Sequence, residues 1–324
     1  MIAFSLMLHI TNGDSVVGTF RQVRFPGVYL PWRDVLHDGP VPQTATLSEL
    51  SDVRAQTLAS FGAGTYNEIR ADFAARDQTL EGFRKHEEVV LWFEHDLYDQ
   101  LQLIQLLDWF AQQDLGKVKL SLIQIDSYPG VKPFYGLGQL SGTQLARLFP
   151  IRTAVTAEHL TAGREAWQAF RAPVPTALVD LTHRTPEKSS PLPFLAAALQ
   201  RFLQEYPWIT DGLSRTERQI LQAVGIKRRK RQDIYLESQK QEDSPWGDAS
   251  VYLRLDALTS APNPALVEVQ KNEYAVTDAG QKLLDAKADW IKLSGGIDRW
   301  LGGVHLNGQQ PQWRWDDNSN KVVT

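Results

Sequence analysis

The feature that most constrains this chain is a series of short apolar runs separated by segments of helical length. FSLMLHI (4–10), GVYLP (27–31), VVLWF (89–93) and KVKLSLIQI (117–125) all have the length of a strand. The first and third are apolar at nearly every position, which marks a strand buried on both faces. Between them lie helical patterns to about residue 24 and at 47–60, 64–84 and 97–115. In the 64–84 stretch Tyr66, Ile69, Phe73, Leu80 and Phe83 approximate one face, and in 97–115 Leu101, Ile104, Leu107 and Phe110 form an inner stripe. Alternation of this kind builds a parallel sheet with helices on both faces. Residues 1–150 are therefore expected to form an α/β domain.

Helices then dominate, at about 140–148, 156–171 and 192–206. The stretch APVPTALVDLTHRTPEKSSPLP, rich in proline and serine, reads as a linker or surface loop, so 151–212 is expected to be a helical extension and linker. From Leu213 the pattern changes. LSRTERQILQAV is a helix with Ser214 as N-cap and Glu217 three residues on, a capping box. A basic helix, KRRKRQDIYLESQ, and a third, GDASVYLRLDALTS, follow. ALVEVQKNEYAV reads as a hairpin and TDAGQKLLDAKADW as a closing helix. Three helices, a two-stranded wing and a helix is a winged-helix-like order, expected over 213–290. The tail 291–324 is rich in tryptophan. Asn307-Gly308 suggests a turn between short strands there, and Trp300, Trp313 and Trp315 are expected to dock on the body.

Composition narrows the function classes. The formal charge of −4 and pI near 6.0 leave no global basic footprint for nucleic acid. The absence of cysteine excludes disulfides, thiolate nucleophiles, iron–sulfur clusters and cysteine-bound zinc, and suits a reducing cytoplasm. MIAFSLMLHI lacks the basic start and small-residue cleavage site of a signal peptide. No apolar run approaches the ~20 residues that span a bilayer. A cytoplasmic protein without a membrane partner is expected.

In open parallel sheets, ligands bind beyond the carboxyl ends of the strands. After the first strand stand Asn12, Gly13, Asp14 and Ser15; after the second, Trp32, Arg33, Asp34, His37 and Asp38. After the third come Glu94, His95, Asp96 and Asp99, and after the fourth Asp126 and Ser127. The amino ends are plainer. This asymmetry points to a site on one edge, with alternatives at each place. NGDS can be a simple turn in which Asp14 caps a helix, and Asp96 and Asp99 can simply complement a helix dipole. One glycine is not a G-x-G-x-x-G loop, the EHD spacing is not that of a helical zinc site, and no G-x-S-x-G is present. LPWRDVLHDGP is too irregular to build core, and it carries an anion-binding arginine and a histidine suited to proton transfer.

Three stretches, LHITNGDSVVGT, LPWRDVLHDGPVP and LWFEHDLYDQLQLIQLL, resemble a bacterial family catalogued as domain of unknown function 1835. FYGLGQLSGTQLARLF and GLSRTERQIL are similar to later signatures of its longer members. The resemblance covers the first 150 residues well and extends over most of the chain. It implies no reaction and carries over no catalytic residue, but its signature blocks coincide with three of the four loops chosen above.

These observations lead to a small polar or phosphorylated ligand, a nucleotide among them, held at the carboxyl edge by Asn12, Gly13, Asp14, Ser15, Trp32, Arg33, Glu94 and Asp126. If the protein is an enzyme, hydrolysis or group transfer fits best. His37 or His95 would then be the general acid/base, and Asp34 and Asp96 would position water or metal. A divalent ion such as magnesium would sit on Asp14 and Asp96. The rival is a ligand-sensing regulator that binds DNA through Arg228, Arg229, Lys230 and Arg231 beside Lys227. Against it, Glu242, Asp243, Asp248 and Asp256 oppose Arg254 alone around the third helix, a poor composition for base readout. A homo-oligomer formed through this module or the tail is a third reading.

Overall fold

The computed structural model describes residues 7–44, 46–183 and 190–324. The chain divides into two compact units between Leu199 and Gln200. In the first, β1 (Met7–Thr11) leads to α1 (Asp14–Gln22) and β2 (Val28–Pro31), and a two-residue strand β3 (Gly39–Pro40) follows. Next come α2 (Leu47–Ser60), α3 (Tyr66–Glu81), β4 (Glu88–Glu94), α4 (Leu97–Ala111) and β5 (Lys119–Ile125). Residues 4–6 of the first expected strand lie outside the described residues. The main sheet has the order β2-β1-β4-β5, all parallel, and a short antiparallel β6 (Thr153–Ala154) closes its edge beyond β5. The expected α/β architecture is what the chain adopts.

The run VVLWF becomes the centre of the sheet because it can be buried on both sides, and every residue of β4 is buried. On one face, Val90 and Trp92 of β4 pack with Val16 and Phe20 of α1 and with Leu145 and Leu148 of α5 (Gly142–Leu148). On the other face α4 packs against β4 and against α6 (Ala157–Phe170). Contact on two sides explains why twelve of the fifteen α4 residues are buried, well beyond the inner stripe expected from sequence.

Two expected boundaries change. The extension after residue 150 is part of the first unit: β6 pairs with β5, α6 packs on α4, and Arg171 donates to the carbonyls of Pro42 and Thr44. The expected linker contains a helix, α7 (Thr176–His183), and its residues 184–189 lie outside the described residues. The boundary falls within α8 (Leu195–Leu203).

The second unit runs α9 (Arg215–Val224), β7 (Arg229–Lys230), α10 (Arg231–Ser238), α11 (Asp248–Ser260), β8 (Leu266–Gln270), β9 (Glu273–Val276) and α12 (Asp278–Leu284), with strand order β7-β9-β8. The Ser214–Glu217 capping box forms as expected. The basic run differs from expectation. Arg229 and Lys230 extend the hairpin as a strand against β9, so the helix starts only at Arg231. A short helix α13 (Trp290–Leu293) precedes the hairpin of β10 (Ile297–Gly302) and β11 (Val304–Gly308). That hairpin turns at Gly302-Gly303, and Asn307-Gly308 instead ends β11, because Leu301 pairs with Val304. The tail strands β12 (Arg314–Asp316) and β13 (Lys321–Val323) belong to the same unit, with Trp315 fully buried and its amide on the Pro207 carbonyl. Trp300 stacks on His305 at 4.4 Å. Buried charge also organises this unit. Glu205 receives Arg201 at 2.8 Å, Arg254 at 3.2 Å and the Thr216 hydroxyl at 2.6 Å. Among the described residues no helix is long and apolar enough to cross a membrane.

Candidate functional site at the carboxyl edge

The order β2-β1-β4 means that the chain leaves β1 toward one side and returns on the other. The gap between β1 and β4 is thus a topological switch point, where the loops leaving two neighbouring strands diverge. From β1 come Asn12 and Gly13; from β4 comes Glu94, followed by Asp96 as N-cap of α4. Asp96 Oδ1 accepts the Asp99 amide at 2.9 Å, which orients the first helical turn. Asp99, fully buried, joins the two strands. One of its oxygens accepts the Glu94 amide at 2.7 Å and the other accepts Asn12 Nδ2 at 2.5 Å.

One carboxylate oxygen each from Glu94, Asp96 and Asp99 lie within 4.8 Å of one another. Burial raises all three pKa values. Glu94 is pushed up to about 8 by burial and then by the Asp96 charge; Asp99 rises well above the ordinary range through burial and both neighbours. Such a group must share protons or hold a cation. Oxygens across an octahedral magnesium stand about 4.2 Å apart, and across calcium about 5 Å, so a hard divalent ion fits this spread.

The fourth loop closes over the cluster. The Leu137 amide donates to Glu94 Oε1. Gly136 has φ +154°, and a Cβ there would lie 2.4 Å from Glu94 Oε2; a Cβ on Gly138 would lie 2.4 Å from Ser15 Oγ. Sequence reasoning missed this loop as a site, although the G-x-G spacing in FYGLGQ was its signal. The edge is therefore covered, while a cavity of about 610 Å³ opens at the opposite, amino edge.

The other candidates separate. Asp14 is not with Asp96: it forms a two-bond pair with Arg33, each contact 2.6 Å, both residues exposed, and this hydrogen bonding lowers its pKa. The acidic neighbours of Asp96 are Glu94 and Asp99, not Asp14. Asp34 is buried against Arg54, with contacts of 2.9 and 3.0 Å, apart from the carboxylate cluster. Trp32 also lies in the interior. It is fully buried, donates to Gln105 Oε1 at 2.8 Å and carries the Arg76 guanidinium 4.0 Å over its ring. Asp126 is exposed and accepts the Ser127 hydroxyl at 2.9 Å, outside the cluster.

His37 stays near the site. Its Nε2 lies 3.6 Å from Asp38 Oδ2, and its ring meets Tyr98 edge-on at 6.2 Å. Tyr98, one residue before Asp99, donates to the Asn12 carbonyl at 3.4 Å. His95, half-buried, packs between Phe134 and Phe194, each 6.2 Å away, which gives its ring a packing role. In the second unit Arg229 pairs with Glu237 at 3.1 Å and Arg231 with Asp256 at 2.8 Å, whereas Lys227, Arg228 and Lys230 are exposed. Comparison of the chain with protein-family models and with curated proteins finds no match.

Proposed function

We propose that the first unit binds a hard divalent cation on Glu94, Asp96 and Asp99 and, beside it, a small polar or phosphorylated ligand, as a hydrolase or group-transfer enzyme. The observation that carries the reading is the three-carboxylate cluster at the switch point, with Glu94 and Asp99 buried and Asp96 half-buried. A cation there would polarise a phosphoryl or carbonyl oxygen. His37, with Asp38 beside it, would move the proton, and Arg33 would hold the ligand's anionic group on leaving Asp14. The Asn12 side-chain amide fixes Asp99 and the Leu137 backbone amide fixes Glu94.

Titration with magnesium, manganese or calcium chloride tests this. The wild-type chain is expected to take up one ion and melt at a higher temperature; Glu94→Gln and Asp96→Asn lose both effects, and Asp14→Ala keeps them. A wild-type chain that takes up none of the three ions overturns the reading and leaves the cluster as a proton-sharing structural group.

A second reading rests on the second unit. The order α9-β7-α10-α11-β8-β9-α12 supports the winged-helix reading of residues 213–290, and Lys227, Arg228 and Lys230 are exposed beside it. In this reading the protein is a DNA-binding regulator that senses the ligand of the first unit. A gel-shift titration that weakens steeply with salt supports it, and no shift at low salt ends it.

A further inference from the structure

We propose that the amino edge of the sheet holds a second binding site, for a small organic phosphate. The cavity of about 610 Å³ lies there, across the sheet from the carboxylate cluster, and within the 300–1,000 Å³ typical of small-molecule sites. Arg84, His86, Lys117 and Lys119 line it, with Leu115 and Val118 as apolar surface.

Its walls are tied together. Arg84 donates to the Asp114 carbonyl from Nε at 2.9 Å and from Nη2 at 2.5 Å, so the loop before β4 is fastened to the loop before β5. The Gly116 amide meets Asp114 Oδ1 at 3.0 Å, and the Lys119 amide meets the Glu87 carbonyl at 2.9 Å. The basin therefore does not depend on a ligand to form it.

The charge balance selects the ligand class. Of the two acids in the lining, Glu88 is already held by Arg152 at 2.6 Å and by the Ser121 hydroxyl at 2.6 Å. That leaves Glu87 against Arg84, Lys117 and Lys119. Neither lysine forms an ion pair among the described residues, and both are exposed at the rim. Lys119 also feels the charge of neighbouring Glu88, but Glu88 is already bonded to Arg152 and Ser121. The two exposed ammonium groups above an apolar wall therefore suit a phosphate joined to an apolar or aromatic body. The concave shape favours a molecule of nucleotide size over the backbone of a nucleic acid, which needs an extended track of cations. This site does not rest on the carboxyl-edge reading.

The test uses the full chain in EDTA, so that divalent ions are absent, with AMP, pyrophosphate and a short single-stranded oligonucleotide as calorimetric probes. AMP is expected to bind the wild-type chain. Lys117→Glu combined with Lys119→Glu should weaken it at least about tenfold, a loss of roughly 1.4 kcal/mol or more, and Asp96→Asn should leave it unchanged. The two lysines are exposed, and an unaltered melting temperature of the double variant shows that the fold is intact. The assignment is overturned by no heat from AMP or pyrophosphate, or by AMP binding that the double variant keeps. It is likewise overturned if the oligonucleotide binds more tightly than AMP and is lost with the same lysines.

Discussion

His9 sits at a position that reads as one more apolar residue of β1, and the structure treats it as one. It is fully buried among the rings of Phe20, Phe25, Tyr29, Trp92 and Phe149. Trp92 Nε1 donates to its Nδ1 at 3.1 Å, so Nε2 carries the proton and donates to the Pro26 carbonyl at 3.0 Å. Gly27 must remain glycine beside it, since a Cβ at φ +136° would lie 2.6 Å from the imidazole. Burial lowers the His9 pKa from 6.5 to about 4. Below pH 6.5 the unfolded chain gains a proton that the folded chain refuses until about pH 4. Stability is therefore full above 6.5 and falls through that window, by roughly 3 kcal/mol in total. The buried Glu94 and Asp99 carboxyls, raised by burial, act in the opposite direction over the same window. The His9 share is therefore the difference between the wild-type chain and His9→Gln in urea unfolding at pH 7 and pH 4.5, with the wild type losing more. An equal pH dependence in the variant would assign the loss to other groups.

Elements were legible where local pattern and tertiary environment agree. The strand β4 was read from VVLWF because continuous apolarity has one cheap solution, and the Ser214 cap because its Glu217 partner is three residues away. The polar residues of α4 were not placed, since Gln102 and Gln105 find their partners, the Asp34 carbonyl and Trp32, about 70 residues away. The basic run was misread for a similar reason: the strand β7 exists only because β9 is there to pair with it. The closing loop shows the same limit. Nothing local in FYGLGQ says that Glu94 lies beneath it. Gly136→Ala should cost about 2–3 kcal/mol, from strain at φ +154° and the displaced carboxylate. Divalent-ion binding should fall with it. Retained ion binding with a lowered melting temperature would make this loop a structural brace only.

Over the whole molecule, the sequence placed all four chemistry-bearing loops on one edge, because parallel strands leave no other arrangement. It could not say which carboxylates converge. Asp14 and Asp96 follow neighbouring strands, yet a free arginine on the next loop captured the first, and Asp99 was drawn into the second group through Asn12. The two units also differ in acid sensitivity. In the second, burial alone would raise the Glu205 carboxyl, but Arg201 and Arg254 with the Thr216 hydroxyl hold it at about 2. Its contribution is complete above about pH 4.5 and is lost as pH falls toward 2, below the window of His9. Glu205→Gln should destabilise the second unit at neutral pH and reduce its further loss below pH 4.5.

Trp32 and Trp92, the two fully buried indoles of the first unit, have a spectroscopic use. The chain has ten tryptophans, and each contributes one indole N–H resonance. Trp32 lends its proton to α4 on one face of the sheet, and Trp92 lends its own to His9 on the other. In heavy water these two signals should persist long after the exposed ones have vanished. Their separate decay would time the opening of each face, a readout of breathing motions that needs no label and no substitution.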